Sequence, residues 1–169
     1  NPELADELRA VEGVEVVSTL RFASSRACDL AISVLGIDAP AYQQTSGLTF
    51  SAGDPTTAYA QVGAGRNVIV NGIMASGVGV EIGDTINVLT ANGDVAYTVA
   101  GIGSDYLNAK LPTAYISQAN IAADFGQQED VFYQINLKEG ADPAAAEAAF
   151  KQLMLPYPQF KLIAGKAYI

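Results

Sequence analysis

Apolar residues recur along this chain with two different spacings, and the spacing predicts which segments are helices and which are strands. Leu4, Leu8 and Val11 lie on one helical face behind Pro2, so a helix is predicted over 2–11, with Gly13 as its stop. Short runs rich in apolar and β-branched residues predict strands over 14–22, 29–37, 68–70, 85–90, 95–100, 113–116, 131–137 and 160–164. This mixture of patterns predicts an α+β protein.

Residues with special backbone preferences mark the predicted turns and helix ends. Ser117 and Asp142 stand at expected N-cap positions of two further helices, over about 118–125 and 143–154, and Gly126 ends the first of them. The pair Asn92-Gly93 predicts a β-hairpin with a type I′ turn, because both central residues of that turn need a positive φ.

The sequence predicts a turn between the first two strands and a long irregular connection after the second. The turn between the first two strands is expected at Arg21, Ser24, Ser25 and Arg26. Residues 38–65 contain several Pro and Gly residues, which indicates a long connection with short helical turns near 42 and 57.

The order of the elements predicts a split, ferredoxin-like βαβ lobe into which a small β-rich lobe is inserted. The α+β lobe would comprise residues 1–45 and 107–169, and the inserted β-rich lobe residues 46–106, the two forming one structural domain.

The composition narrows the classes of function that this chain can have. Half of the residues are apolar, only 16% are charged, and the net charge is −9. A packed core is therefore expected, and the acidic balance without a basic run argues against binding to nucleic acid. The chain has no His, which excludes Ser-His-Asp triads and His-ligated metal sites, and no cofactor is expected. The single cysteine, Cys28, is expected to be a small buried or partly buried apolar residue.

Two sets of side chains are candidates for a site. Asp38, Asp54, Asp84, Asp94 and Asp105 lie in predicted turns, where Asp commonly bonds backbone N–H groups. Catalysis by carboxylates would require two of them in one cleft, and it is kept as a third hypothesis.

The other set consists of tyrosines. Tyr42, Tyr59 and Tyr106 lie in connections between the predicted lobes, so they are candidates for contact with a partner or between the lobes, with core packing as the alternative.

No apolar run approaches the ~18 residues that span a bilayer. The chain starts without Met, and we expect it to be part of a longer protein.

Several short segments follow one another in an order that resembles a known family. They are VEGVEVV (11–17), VLGIDAPAY (34–42), NVIVN (67–71), GDTINV (83–88) and TVAGI (98–102). This ordered set resembles the MacB-like periplasmic core domain, which is the large extracytoplasmic loop of FtsX-like ABC-transporter permeases.

The resemblance implies a membrane protein of the cell membrane, with this domain on the extracytoplasmic side between transmembrane helices of the same permease chain. A cytoplasmic ATP-binding subunit would hydrolyse ATP. The domain itself would be no enzyme, and it would couple conformational change in the helices to a substrate or a partner such as an adaptor protein. Permeases of this type usually act as dimers, which suggests a homodimer of the full-length protein.

An alternative is a free-standing extracytoplasmic module that binds a ligand or peptide between its lobes. The two readings make different structural predictions. A loop between membrane helices should have its chain ends close together, whereas a binding module should contain a sizeable apolar pocket with convergent polar groups.

Overall fold

The structure is a computed structural model that describes residues 2–45, 48–105, 110–127 and 132–162. These residues form six helices and eight strands. In chain order they are α1 Pro2–Arg9, β1 Val14–Ala27, β2 Leu30–Ile37, α2 Ala39–Thr45, β3 Thr49–Ala52, α3 Pro55–Ala64, β4 Asn67–Val70, α4 Gly72–Val78, β5 Thr85–Thr90, β6 Gly93–Ser104, β7 Thr113–Ser117, α5 Gln118–Phe125, β8 Phe132–Leu137 and α6 Pro143–Met154. The predicted α+β class is confirmed.

All eight strands belong to one mixed sheet. Its order is β2-β7-β4-β6-β5-β1-β8, and β3 pairs with β6. The long strand β1 pairs with β2 over 20–27 and meets β5 at the single pair Ala27–Val88. The strand order thus returns to β2, so six strands close into a ring and β8 lies outside it.

Three apolar clusters form the core. The first fills the ring: each of the six ring strands contributes two buried side chains, and Met74 of α4 and Ile121 of α5 complete it. The second contains Tyr42 of α2 and Tyr59 of α3, packed against strand residues such as Ile69. The third includes Leu4 of α1 and Phe150 of α6, packed against the first half of β1.

The helix ends predicted at Ser117, Gly126 and Asp142 are confirmed, whereas α1 ends at Arg9 and not at the predicted stop Gly13. The Ser117 hydroxyl accepts a hydrogen bond from the Asn120 N–H at 3.1 Å, and Gly126 ends α5 with a φ of +70°. The Asp142 carboxylate accepts from the Ala144 N–H at 3.0 Å, with Pro143 as the first residue of α6.

The turn predicted at Arg21, Ser24, Ser25 and Arg26 is wrong. These residues continue β1, and each of them pairs with a residue of β2. The chain reverses instead at Cys28 and Asp29, whose φ values are +49° and +65°. Two consecutive positive φ values produce the tight turn that suits the right-handed twist of paired strands.

The hairpin at Asn92-Gly93 is confirmed, but its type I′ turn is wrong. Thr90 pairs with Gly93, and of the two predicted turn residues only Gly93 has a positive φ, +91°. The Thr90 hydroxyl holds the loop, because it donates to the Gly93 carbonyl at 2.7 Å and accepts from the Asn92 N–H at 3.0 Å.

The connection over 38–65 is more regular than predicted, since it contains α2, β3 and α3. The last predicted strand is wrong over residues 160–162, which form no strand, and residues 163–164 lie outside the described residues.

The boundaries of the two lobes stay a prediction. β4 and β6 of the part over 46–106 lie between β7 and β5 in the continuous ring.

Candidate functional site

The first helix and the last described residues lie together on one side of the domain. Leu4 and Leu8 of α1 pack in the same apolar cluster as Phe160 and Leu162. These four side chains also line one groove of about 320 Å³ along β8. The ring of Phe160 packs edge-on against Tyr133 of β8, with the ring centres 5.3 Å apart. The described chain therefore enters and leaves the fold at one place.

Strand β1 connects this region with the closed ring. Its residues Val14 and Val17 belong to the cluster under α1 and α6, while Ala23 and Ala27 belong to the cluster inside the ring. At about 3.3 Å per residue, a strand of 14 residues spans roughly 45 Å. One strand therefore contributes side chains both to the cluster under α1 and α6 and to the cluster inside the ring.

A buried carboxylate fixes α5 to the ring. Asp124 is 1% exposed, and its carboxylate accepts from Arg66 Nε at 3.0 Å, from Arg66 Nη2 at 2.9 Å and from the Tyr97 hydroxyl. The Arg66 guanidinium holds the pKa of Asp124 below its usual range, and the Tyr97 hydroxyl lowers this pKa further. Burial, together with the Asp124 carboxylate, raises the pKa of Tyr97. The carboxylate therefore stays ionised and serves as an anchor.

Further hydrogen bonds attach α5 to the same part of the molecule. The Ala91 N–H at the hairpin tip donates to the Asp124 carbonyl at 3.1 Å, and Asn92 Nδ2 donates to the Ala123 carbonyl at 3.4 Å. Asn120 Nδ2 donates to the Gly65 carbonyl at 2.8 Å. Helix α5 is therefore bonded both to the β5–β6 hairpin and to the loop between α3 and β4.

The candidate tyrosines lie in the core. Tyr42 is 2% exposed and Tyr59 is 3% exposed, and their ring centres are 6.4 Å apart. Burial raises the pKa of Tyr42, and the nearby Asp105 carboxylate adds to this effect. The two rings meet across the predicted boundary at residue 46 and leave almost no surface for a partner. Tyr106 lies outside the described residues, and a partner contact through these tyrosines stays a prediction.

Three of the five candidate turn carboxylates serve separate local structures. Asp54 caps α3 by accepting from the Thr57 N–H at 2.9 Å, which lowers the pKa of Asp54. Asp84 accepts from the Glu81 N–H at 2.8 Å, and Asp105 accepts from the Tyr115 hydroxyl. Within the described ranges, no group of three or more His, Cys, Asp or Glu side chains could hold a metal ion.

Two further surface features lie near the β1–β2 and β5–β6 hairpins. Cys28 is exposed in the β1–β2 turn, so the expectation of a buried cysteine is wrong. A second groove of about 300 Å³ lies between β1 and the β5–β6 hairpin, and its lining includes Ser24, Thr90 and Phe125.

The fold of the chain resembles solved extracytoplasmic domains of ABC transporters. The extracellular domain of the noncanonic ABC-type transporter YknZ from Gram-positive bacteria matches with a TM-score of 0.71 and 17% identity, over 94% of this chain and 84% of that one. The periplasmic region of MacB from Actinobacillus actinomycetemcomitans matches with a TM-score of 0.67 and 14% identity, over 90% of this chain and 72% of that one. Among curated proteins, none matches this chain in sequence.

The sequence itself establishes the family. Residues 1–153 match the MacB-like periplasmic core domain, so the chain belongs to this family of extracytoplasmic domains in ABC-transporter permeases. At the coarse level, membership implies membrane helices and an ATPase as partners. In the described residues, no helix is both long enough and apolar enough to cross a membrane.

Proposed function

We propose that this chain is a non-catalytic extracytoplasmic domain that couples conformational change in the permease's transmembrane helices to a substrate or partner protein outside the membrane. The observation that carries the proposal is the meeting of Leu4, Leu8, Phe160 and Leu162 in one cluster. Two membrane helices attached at this place would act on the domain together. Their movement would enter β1 through its packing against α1.

The proposal assigns no chemistry to the domain. Asp54, Asp84 and Asp105 are each bonded to a different local structure, and the Asp124 carboxylate is held by Arg66 and Tyr97. ATP would be hydrolysed by the cytoplasmic ATP-binding subunit, whose action would reach this domain only through the membrane helices. The free-standing binding module is less well supported, because grooves of about 300 and 320 Å³ lie at the small end for ligand sites.

The proposal is tested by replacing the domain within its permease. Because Leu4 and Leu162 line the same groove, a flexible Gly/Ser linker is used to join the flanking helices in place of the domain. We expect the shortened permease to assemble with its ATPase and to hydrolyse ATP, but to lose transport or partner activation. The control carries the same linker inserted at Gly140, which is exposed in the turn between β8 and α6. Full transport by the shortened permease would overturn the proposal.

A further inference from the structure

Strand β1 changes its pairing partner at one residue. It pairs with β8 from Val14 to Leu20 and with β2 from Leu20 to Ala27. Leu20 is the only described residue that belongs to both of these ladders. We call α1, residues 14–19 of β1, β8 and α6 together the chain-end unit. This unit is thus joined to the sheet of the ring through a single strand.

Several of the hydrogen bonds at this change of partner join uncharged groups, and Leu20 itself packs against the second apolar cluster. Gln118 Nε2 of α5 donates to the Thr19 carbonyl at 2.8 Å and lies 2.6 Å from the Thr19 hydroxyl. The Thr45 hydroxyl of α2 lies 3.2 Å from Gln134 Oε1 of β8. Asn136 Nδ2 of β8 donates to the Gln44 carbonyl at 3.1 Å.

A buried hydroxyl without a partner lies in the same junction. Ser18 is 0% exposed, and its Oγ has no hydrogen-bond partner among the described residues. Leaving such a hydroxyl unpaired costs about 1–3 kcal/mol of folding free energy. The Ser18 hydroxyl therefore does not stabilise the present angle between the chain-end unit and the ring. In addition, the apolar cluster of the chain-end unit shares no described residue with either of the other two clusters.

From these observations, and building on the proposed function, we propose that β1 is a hinge at Ser18–Leu20 on which the chain-end unit pivots against the ring. Exchanging one neutral hydrogen bond for another, or for water, changes the free energy by only about 0.5–1.5 kcal/mol. The apolar interior of each unit stays intact during such a movement. Tilting of the membrane helices would therefore alter the angle between the two units, and β1 would accommodate the change by bending and twisting where its pairing partner changes.

The first test measures distances in the chain itself. Spin labels are attached in a Cys28→Ser background at Glu147→Cys on α6 and Asn87→Cys on β5, both exposed positions on opposite sides of the hinge. The control pair, Asn87→Cys and Ser76→Cys, lies within the ring unit. We expect the distance distribution across the hinge to be about twice as wide as that of the control. Equal widths would overturn the hinge, whatever the role of the domain in transport.

The second test locks the junction in the permease. In a Cys28→Ser background, a bis-maleimide with a reducible spacer joins Thr45→Cys on α2 to Gln134→Cys on β8 across the hinge, and loss of free thiols verifies the reaction. The control variant Thr85→Cys/Thr98→Cys is joined in the same way between two exposed residues that pair within the ring. We expect cross-linking to reduce transport at least about tenfold in the first variant only, with recovery when the spacer is reduced. The two tests can also disagree. If the distance distribution is wide but the cross-linked permease transports normally, the coupling function is wrong and the hinge is retained.

Discussion

The contact between β2 and α5 can be tested at Gly36, which lies in the segment VLGIDAPAY. A Cβ atom at this position would lie 2.5 Å from Ile121 Cγ2 and 3.1 Å from Ile121 Cβ. Carbon atoms in favourable contact are about 3.5–4.0 Å apart, so Gly36→Ala forces the helix or the strand to move by about 1 Å. Ile121 is 0% exposed and packs in the cluster inside the ring.

The surroundings of Ile121 make this movement costly. Its neighbours Asn120 and Asp124 are bonded to Gly65 and Arg66, so α5 cannot move away without lengthening these bonds. Overpacking of a core typically costs about 1–3 kcal/mol. We therefore expect Gly36→Ala to lower the free energy of unfolding by about 3 kcal/mol and the melting temperature by roughly 6–12 °C.

Denaturant unfolding of the chain, followed by two optical probes, measures this change. The control is Gly63→Ala on the exposed face of α3, where an added Cβ meets nothing within 4 Å. This control should be neutral or stabilising by up to about 1 kcal/mol, because Ala has the higher helix propensity. Ile121→Ala removes the clashing methyl, so the double variant should lose less stability than the sum of the single variants. A Gly36→Ala protein within about 0.5 kcal/mol of the original would refute the close-contact account.

Three further predictions concern single side chains. Ser117→Ala removes the N-cap of α5 and should cost about 1 kcal/mol in denaturant unfolding, and an unchanged midpoint would contradict this role. Because Arg66 holds the pKa of Asp124 below its usual range, the contribution of Asp124 to stability is complete above the usual Asp pKa and is lost as the pH falls through the lowered value. Asp124→Asn should therefore lose less stability on acidification than the original chain, and parallel curves of stability against pH would count against the anchor. Cys28 should react with one equivalent of a thiol reagent in the folded chain, because it is exposed. A thiol that reacts only after unfolding would contradict the exposed position of Cys28 in the β1–β2 turn.

Local signals in the sequence predicted the elements that depend on local interactions. Ser117, Asp142 and Gly126 act within one helical turn of their own positions, and their roles were predicted correctly. The second half of β1 was missed because its inward residues are Ala23 and Ala27, whose small side chains give a weak apolar alternation. Their size suits the crowded interior of a closed ring, and ring closure is a long-range property that no local pattern contains.

The site was less predictable than the fold. Arg66 and Asp124 are 58 positions apart and meet only because α5 lies beside the loop between α3 and β4. Neither residue belongs to a sequence motif. The only local sign that Asp124 is buried is its position beside Phe125 in an amphipathic helix. The grouping of α1 with residues 160–162 likewise follows from the path of the whole chain. The family resemblance, in contrast, used short segments such as 34–42 and 83–88, in which Gly83 has a positive φ and Gly36 contacts α5.

The distribution of apolar residues decides how such a domain transmits movement. The cluster inside the ring takes Val34 and Ile116 from one predicted lobe and Val70, Val88 and Val99 from the other. Moving residues 46–106 away from the rest would expose several such side chains, at about 1.5–3 kcal/mol each. The cluster under α1 and α6 is separate, and Gln118 and Asn136 donate two of the hydrogen bonds at its border with the ring. On the proposed hinge, a force applied where the chain enters and leaves the fold would therefore bend β1, and the ring with its inserted strands would move as one body.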